Sequence, residues 1–186
     1  MATNNVEREI KLRYASPDEA RAAVLAAGAT PLRGRRLQED CLLDTDDGQL
    51  RARGTVLRVR LEGGKSRITF KGAPQPGTMK IREELETVVG DGEILLRVLE
   101  ELGFRPWFRY QKYREELAHE DVVVAIDETP VGTFVELEGS AEGITAVAGL
   151  LGRSPSEYVL DSYRTLFVNW QRERRTTGRD MVFEEA

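Results

Sequence analysis

Val6-Glu7-Arg8-Glu9-Ile10-Lys11-Leu12 is the stretch on which the reading of this chain turns. Side chains of a β-strand alternate between its two faces. Glu7, Glu9 and Lys11 therefore share one side, and Val6, Ile10 and Leu12 take the other. The same division recurs downstream. Arg58 and Arg60 oppose Leu57, Val59 and Leu61; Arg67, Thr69 and Lys71 oppose Ile68 and Phe70; Arg82, Glu84 and Glu86 oppose Ile81 and Leu85. Lys112 pairs in parity with Arg114, and Glu136 with Glu138 opposite Val135 and Leu137. Asp127 ends an apolar run and shares parity with Val123 and Ala125. One such strand would simply turn its charged face to water. Solvated faces usually mix Thr, Ser, Gln and Lys, whereas these are rich in Arg and Glu. If the apolar faces pack outward against helices, the charged faces converge on an interior. Ions gathered there must be paired, hydrated or met by a charged ligand.

The segments with a two-residue period run over Val6–Tyr14, Arg36–Asp44, Thr55–Leu61, Ser66–Lys71, Lys80–Val88, Phe108–Ala118, Asp121–Asp127 and Thr133–Glu138. Glu62-Gly63-Gly64-Lys65 is a hairpin turn, His119-Glu120 sits at another, and Ala73-Pro74-Gln75-Pro76-Gly77 is a breaker-rich loop. Ser16-Pro17-Asp18-Glu19 starts a helix that Gly28 stops. Further helices are predicted from Gly92 to Leu102 and from Ala141 to Leu151. Ser154-Pro155-Ser156-Glu157 repeats the start signal and predicts a last helix running through Tyr163, Leu166 and Phe167 to Arg174. The fold expected is α+β: an eight-stranded antiparallel closed β-barrel with peripheral helices. Residues 1–174 form one domain in this reading, and 175–186 a tail without periodicity that is expected to be loose.

Composition narrows the chemistry. The 186 residues carry 32% charged and 40% hydrophobic side chains and a net charge of -5, which argues against general nucleic-acid or anionic-membrane binding. No apolar run is long enough to span a bilayer as a helix, and the polar start Met1-Ala2-Thr3-Asn4-Asn5 lacks a secretion signal. The single cysteine, Cys41, permits no intrachain disulfide, so a cytoplasmic location is expected. With His119 the only histidine, thiolate and imidazole zinc sites are excluded. Carboxylates, lysines, arginines and oxygen-bound metals are left. Guanidinium and ammonium groups suit phosphate oxygens. Carboxylates two residues apart on a strand suit Mg²⁺ or Mn²⁺.

An ordered series of segments resembles the CYTH family, also called triphosphate tunnel metalloenzymes, which includes thiamine triphosphatases, inorganic triphosphatases and class IV adenylate cyclases. Glu7-Arg8-Glu9-Ile10-Lys11 is similar to the family's Glu-x-Glu-x-Lys. It is followed by Asp44-Thr45, Leu57-Arg58-Val59-Arg60, Thr69-Phe70-Lys71-Gly72 and Arg82-Glu83-Glu84-Leu85-Glu86. Lys112-Tyr113-Arg114, Asp127, Phe134-Val135-Glu136-Leu137-Glu138 and Ser162-Tyr163-Arg164 complete it, from about Val6 to Phe167. Leu42 departs from the pattern, since the family commonly places an aromatic residue there, after the acidic residue that is Asp40 here.

The resemblance implies that Glu7, Glu9, Asp127, Glu136 and Glu138 ligate Mg²⁺ or Mn²⁺. It implies that Lys11, Arg58, Arg60, Lys71, Lys112 and Arg114 hold triphosphate oxygens, with Arg82, Glu84 and Glu86 as a supporting network. Glu7, Glu9, Lys11 and Lys71 would be the catalytic set, and one of Lys11, Lys71 and Lys112 could assist proton movement. The expected partner is a small-molecule triphosphate, neither nucleic acid nor membrane, with a homodimer left open. Hydrolysis of the triphosphate is the leading expectation. A class IV adenylate cyclase and a non-catalytic polyphosphate or nucleotide binder are the alternatives. Trp107, Trp170 and Cys41 read as packing residues, and Arg172-Glu173-Arg174-Arg175 as a solvated helix end.

Overall fold

The alternating segments form one closed wall. In the computed structural model, which describes residues 5–184, eight antiparallel strands close in the order β1-β5-β4-β3-β2-β6-β7-β8. They are β1 (Val6–Tyr14), β2 (Thr30–Thr45), β3 (Val56–Glu62), β4 (Lys65–Lys71), β5 (Lys80–Val89), β6 (Phe104–His119), β7 (Val122–Thr129) and β8 (Gly132–Glu138). Closure comes from β8 returning to β1, with Ile10 opposite Leu137 and Leu12 opposite Val135. The helices are α1 (Pro17–Ala26), α2 (Gln49–Ala52), α3 (Gly92–Glu101), α4 (Ala141–Leu150) and α5 (Tyr163–Arg174). None is long and apolar enough to cross a membrane. The polar start at residues 1–4 lies outside the described residues.

Most of the apolar faces pack outward under helices, as the parity argument requires, while that of β5 stays uncovered around Leu85, which is exposed. Ile10, Leu12, Leu117, Val124, Val135 and Leu137 meet Ala20 and Val24 of α1 and Ile144 and Val147 of α4. Leu43 and Val59 lie under Leu96 and Leu99 of α3. Each side chain of this size that leaves water contributes about 1.5–3 kcal/mol, so the helix-covered wall forces the opposite, charged faces inward. Gly92 brings the start of α3 close to the β3–β4 hairpin, since a Cβ there would stand 2.4 Å from Leu61 Cδ2.

The helix starts follow the capping signals. Ser16, Asp91, Ser140 and Ser162 each accept a backbone N–H through the side chain at the start of α1, α3, α4 and α5. Two segments differ from the sequence reading. The Ser154 signal opens only a 3₁₀ turn, Pro155–Glu157. The chain then runs extended so that Val159 exchanges backbone hydrogen bonds with Lys11, and α5 starts afresh at the Ser162 cap. Pairing with a barrel strand outweighs continuing the helix, and it swings α5 across one end of the barrel.

The second difference is the C-terminal segment, which docks on the barrel through Asp180 and Met181, residues 185–186 lying outside the described residues. β7 pairs with β6 only from Tyr113 to His119, which leaves an open edge around Tyr110. Unpaired edge groups need partners. Met181 N–H donates to Arg109 O at 3.0 Å, Gln111 N–H donates to Met181 O at 2.8 Å, and Arg109 N–H donates to Asp180 Oδ1 at 2.8 Å. The Met181 side chain is fully buried against Phe108, Tyr110 and Phe167. Met181→Ala is expected to lower stability by about 2–4 kcal/mol, read as a shift of the urea unfolding midpoint. An unshifted midpoint would mean that the docked edge contributes nothing.

Candidate active site

The inward faces carry the charges, and strand register fixes which groups meet. Glu7 faces Arg82 across β1 and β5, Glu9 faces Lys80, and on the other side of β1 Lys11 faces Glu136 and Glu9 faces Glu138. Asp40 faces Arg60 on β3 and Tyr110 on β6, Lys71 faces Glu84, and Arg114 faces Asp127. Glu7, Glu9, Lys11, Arg58, Arg60, Lys71, Arg82, Lys112, Arg114, Asp127 and Glu136 are all buried. Glu84 is half-buried, and Glu86 and Glu138 are exposed toward a barrel mouth.

Four linked knots make up the lumen. In the first, Asp127 is enclosed by Lys112 Nζ at 2.8 Å, Arg114 Nε at 2.7 Å and the Tyr163 hydroxyl at 2.6 Å. Arg114 also bridges to Glu136. In the second, Glu9 Oε1 accepts from Lys80 at 2.7 Å and Lys11 at 3.2 Å, and Lys11 reaches Glu136 at 3.3 Å. In the third, Glu7 takes both its oxygens to Lys71, at 2.7 and 2.8 Å, with Arg82 at 3.2 Å and Glu84 on Lys71 at 3.0 Å. In the fourth, Asp40 holds Arg60 in a two-point grip at 2.9 and 3.1 Å and Arg58 at 3.4 Å. Arg58 also donates to Thr69 at 3.1 Å and to Glu86 at 3.4 Å.

One barrel end is closed by aromatic rings. Tyr163 of α5 packs edge-on to Phe134 and alongside Tyr110, while Phe108, Leu166 and Phe167 fill the space beneath. Its ring lies 5.3 Å from Lys11 Nζ and 5.0 Å from Lys112 Nζ, a distance at which the ring face attracts an ammonium. Leu42 belongs to this cluster and lies directly across from Phe108. Tyr163→Phe removes only the hydroxyl bond to Asp127, and a stability loss of about 1.5–3 kcal/mol is expected for a hydrogen bond to a charged group. Calorimetric melting of the variant checks this, and an unchanged transition would show the bond to be idle.

Burial would push the carboxyl pKa of Glu9 up, but Lys11 and Lys80 overcome it and hold Glu9 well below the ordinary range. Glu136 is likewise well below, through Lys112, Arg114 and Lys11. Burial with repulsion from Arg114, opposed by Asp127, brings Lys112 down to about 8. Glu138 goes the other way. Partial burial, with Glu7, Glu84 and Glu136 nearby, raises it to about 7. Glu138 has no ion-pair partner within 4 Å among the described residues, and it stands directly across from Glu9. Two like charges opposed across strands repel unless a cation lies between them.

That pair bears on whether a divalent ion fits. Mg²⁺ and Mn²⁺ take hard oxygen donors, and Glu7, Glu9, Glu136 and Glu138 offer carboxylate oxygens with no thiolate or imidazole beside them. The donor chemistry fits. Among the described residues, no three acidic groups yet stand around one point, because ammonium and guanidinium groups hold most of them. A surface concavity at Gly63, Gly64 and Gly92 is lined by Glu39, Glu62, Asp91 and Glu93, a setting unsuited to an anion.

All the residues singled out in the sequence thus face the lumen or its mouth. Asp40, Lys80 and Tyr110 were not among them. Lys80 shares the parity of Arg82 and was legible from it. Asp40 is followed on β2 by Cys41, Leu42 and Leu43, with no charged residue two positions on either side, and only the register with β3 shows that it faces Arg58 and Arg60.

The family model of the CYTH domain matches residues 5–153. A curated relative from Methanocaldococcus jannaschii, named a "putative adenylate cyclase", is 30% identical over 140 residues, covering 75% of this chain and 79% of the relative. Two solved structures share the fold. One, a "putative adenylate cyclase" from Vibrio parahaemolyticus, has a TM-score of 0.77 at 18% identity, over 89% of this chain and 99% of the other. The second is a "putative adenylyl cyclase" from Hippeastrum described as revealing a dominant triphosphatase activity. It has a TM-score of 0.64 at 20% identity, over 88% of this chain and 95% of the other.

Proposed function

The chain belongs to the CYTH domain family, and from that premise we propose that it hydrolyses a small-molecule triphosphate inside its barrel with the help of a divalent ion. The observation that carries this reading is the convergence of Lys11, Arg58, Arg60, Lys71, Lys112 and Arg114 in one enclosed lumen, interleaved with Glu7, Glu9 and Glu136. Buried ion pairs are costly unless well satisfied. Here they act as placeholders: phosphate oxygens replace carboxylates beside the cations, and the ion replaces ammonium groups beside the carboxylates.

Glu7, Glu9, Glu136 and Glu138 would hold Mg²⁺ or Mn²⁺, which supplies charge neutralisation and lowers the pKa of water. Asp127, which the family resemblance places among the ion ligands, is enclosed by Lys112, Arg114 and Tyr163 and in this reading fixes those donors in place. Arg58 and Arg60, oriented by Asp40, and Lys71, beside Glu7 and Glu84, align the phosphate chain and stabilise the charge that builds as the anhydride breaks. Among Lys11, Lys71 and Lys112, Lys112 has its pKa brought to about 8, where a lysine both gives and takes protons near neutral pH.

Incubation with inorganic triphosphate, thiamine triphosphate and ATP, each with Mg²⁺ and with Mn²⁺, tests the reading. Orthophosphate and the matching diphosphate are the products expected. The name of the Methanocaldococcus relative favours a second reading on the same clamp, in which the ribose 3′-hydroxyl of ATP attacks the α-phosphorus and diphosphate leaves. Cyclic AMP as the main product would establish that reading instead. Tight binding without any product would leave a triphosphate-binding module.

A pH prediction follows from Glu138. A carboxyl with a pKa near 7 must lose its proton to ligate an ion. Ion binding should tighten as pH rises through about 7, and Glu138→Gln should flatten that profile in a Mn²⁺ titration at pH 6 and 8. Parallel profiles in both proteins would exclude Glu138 from the ion site.

A further inference from the structure

Lys80 occupies the first position of β5, at the exit of the loop that follows Lys71, and lies directly across from Glu9. Its ammonium stands 2.7 Å from Glu9 Oε1. Lys11 reaches the same oxygen at 3.2 Å, but Lys11 is also anchored by Glu136 at 3.3 Å and by the face of the Tyr163 ring. Among the described residues Glu9 is the one acidic partner of Lys80. One carboxylate oxygen is therefore held twice, once by a cation that Glu136 and the Tyr163 ring also anchor and once by a cation on a flexible stem with no second acidic partner among the described residues.

We propose that Lys80 sets the divalent-ion affinity of the tunnel, by seating its ammonium on the Glu9 oxygen until an ion displaces it. The inference rests on the reading of Glu9 as an ion ligand. It accounts for the lack of a ready three-carboxylate site among the described residues, since an ammonium seated among acids fills the place a cation would take. The displaced ammonium remains at the lumen wall beside Arg82, where phosphate oxygens are its natural new partners. Ion and triphosphate thereby assist one another: the ion frees Lys80, and the polyanion gives Lys80 somewhere to go. Without the polyanion the ion has to drive out Lys80 unaided.

Calorimetric titration of Mn²⁺ into the full chain, without any phosphate, reads this directly and needs no turnover. Lys80→Met keeps the stem and removes the charge. It should tighten Mn²⁺ binding on the order of tenfold or more, because a like charge at contact distance from the ion is removed. Lys80→Arg, which keeps the charge, should bind Mn²⁺ as weakly as the native protein. Unchanged or weaker binding by folded Lys80→Met, with Glu9→Gln still lowering binding, would overturn the role of Lys80 and leave the ion site standing. Native-like Mn²⁺ binding by Glu9→Gln would remove Glu9 as a ligand, and the proposal with it.

Discussion

Glu9→Gln is expected to lower metal-dependent turnover by about 10²–10³-fold while the barrel survives, a loss comparable to removing one preorganised group from a charged transition-state site. Glu9 sits where the proposed ion and phosphate positions meet. Its oxygen is shared by Lys11 and Lys80, and it lies opposite Glu138. A glutamine keeps the shape and still accepts a hydrogen bond through its amide oxygen, but it offers an ion no charge. The fold should tolerate the change because Lys11 retains Glu136, and the glutamine's amide oxygen can still accept from Lys80. Steady-state rates with inorganic triphosphate and Mn²⁺, with circular dichroism to verify folding, decide the matter. Native turnover in the variant would take Glu9 out of the mechanism.

Asp127→Asn should produce the largest loss of stability, about 3–5 kcal/mol, the usual cost of leaving buried charges without their partner. Asp127 is wholly enclosed and serves Lys112, Arg114 and Tyr163 together. Arg114 retains Glu136, so the deficit falls mainly on Lys112. A lysine whose folded pKa is depressed binds its proton less well folded than unfolded, so stability rises with pH above the folded value. In the native protein that rise begins near pH 8. Without Asp127 it begins lower, so the gap between variant and native protein should narrow as pH approaches 8. Urea unfolding at pH 6, 7 and 8 measures both the deficit and its trend. A deficit below about 1 kcal/mol, the worth of an ordinary hydrogen bond, would mean that Asp127 does not hold the lumen together.

Much of this was readable in the order of residues because strand alternation is a rigid rule. Glu7, Glu9 and Lys11 share a face whatever else the chain does, and the apolar partners Ile10 and Leu12 say which face is covered. What parity cannot supply is the neighbour across the sheet. Asp40 is one acid on β2, and its grip on Arg60 exists only because β2 lies beside β3 at that register. The break between Glu157 and Tyr163 was hidden for a related reason: a serine-proline start looks alike before a turn and before a helix. The outcome was decided by Val159 finding Lys11 on β1. Met181 illustrates the same limit, since a short segment docks where an edge happens to be open. Tyr163 could be read from its motif as part of the site or as core. The structure puts its ring in the aromatic cluster and its hydroxyl on Asp127.

The most direct test is anomalous diffraction from Mn²⁺ in crystals grown with a non-hydrolysable triphosphate analogue. A manganese peak inside the barrel, ligated by Glu9 and at least one of Glu7, Glu136 and Glu138, with the analogue's oxygens on Arg58, Arg60, Lys112 and Arg114, is the predicted result. Manganese and analogue bound on the outer wall, with the lumen ion pairs still closed on one another, would contradict the account.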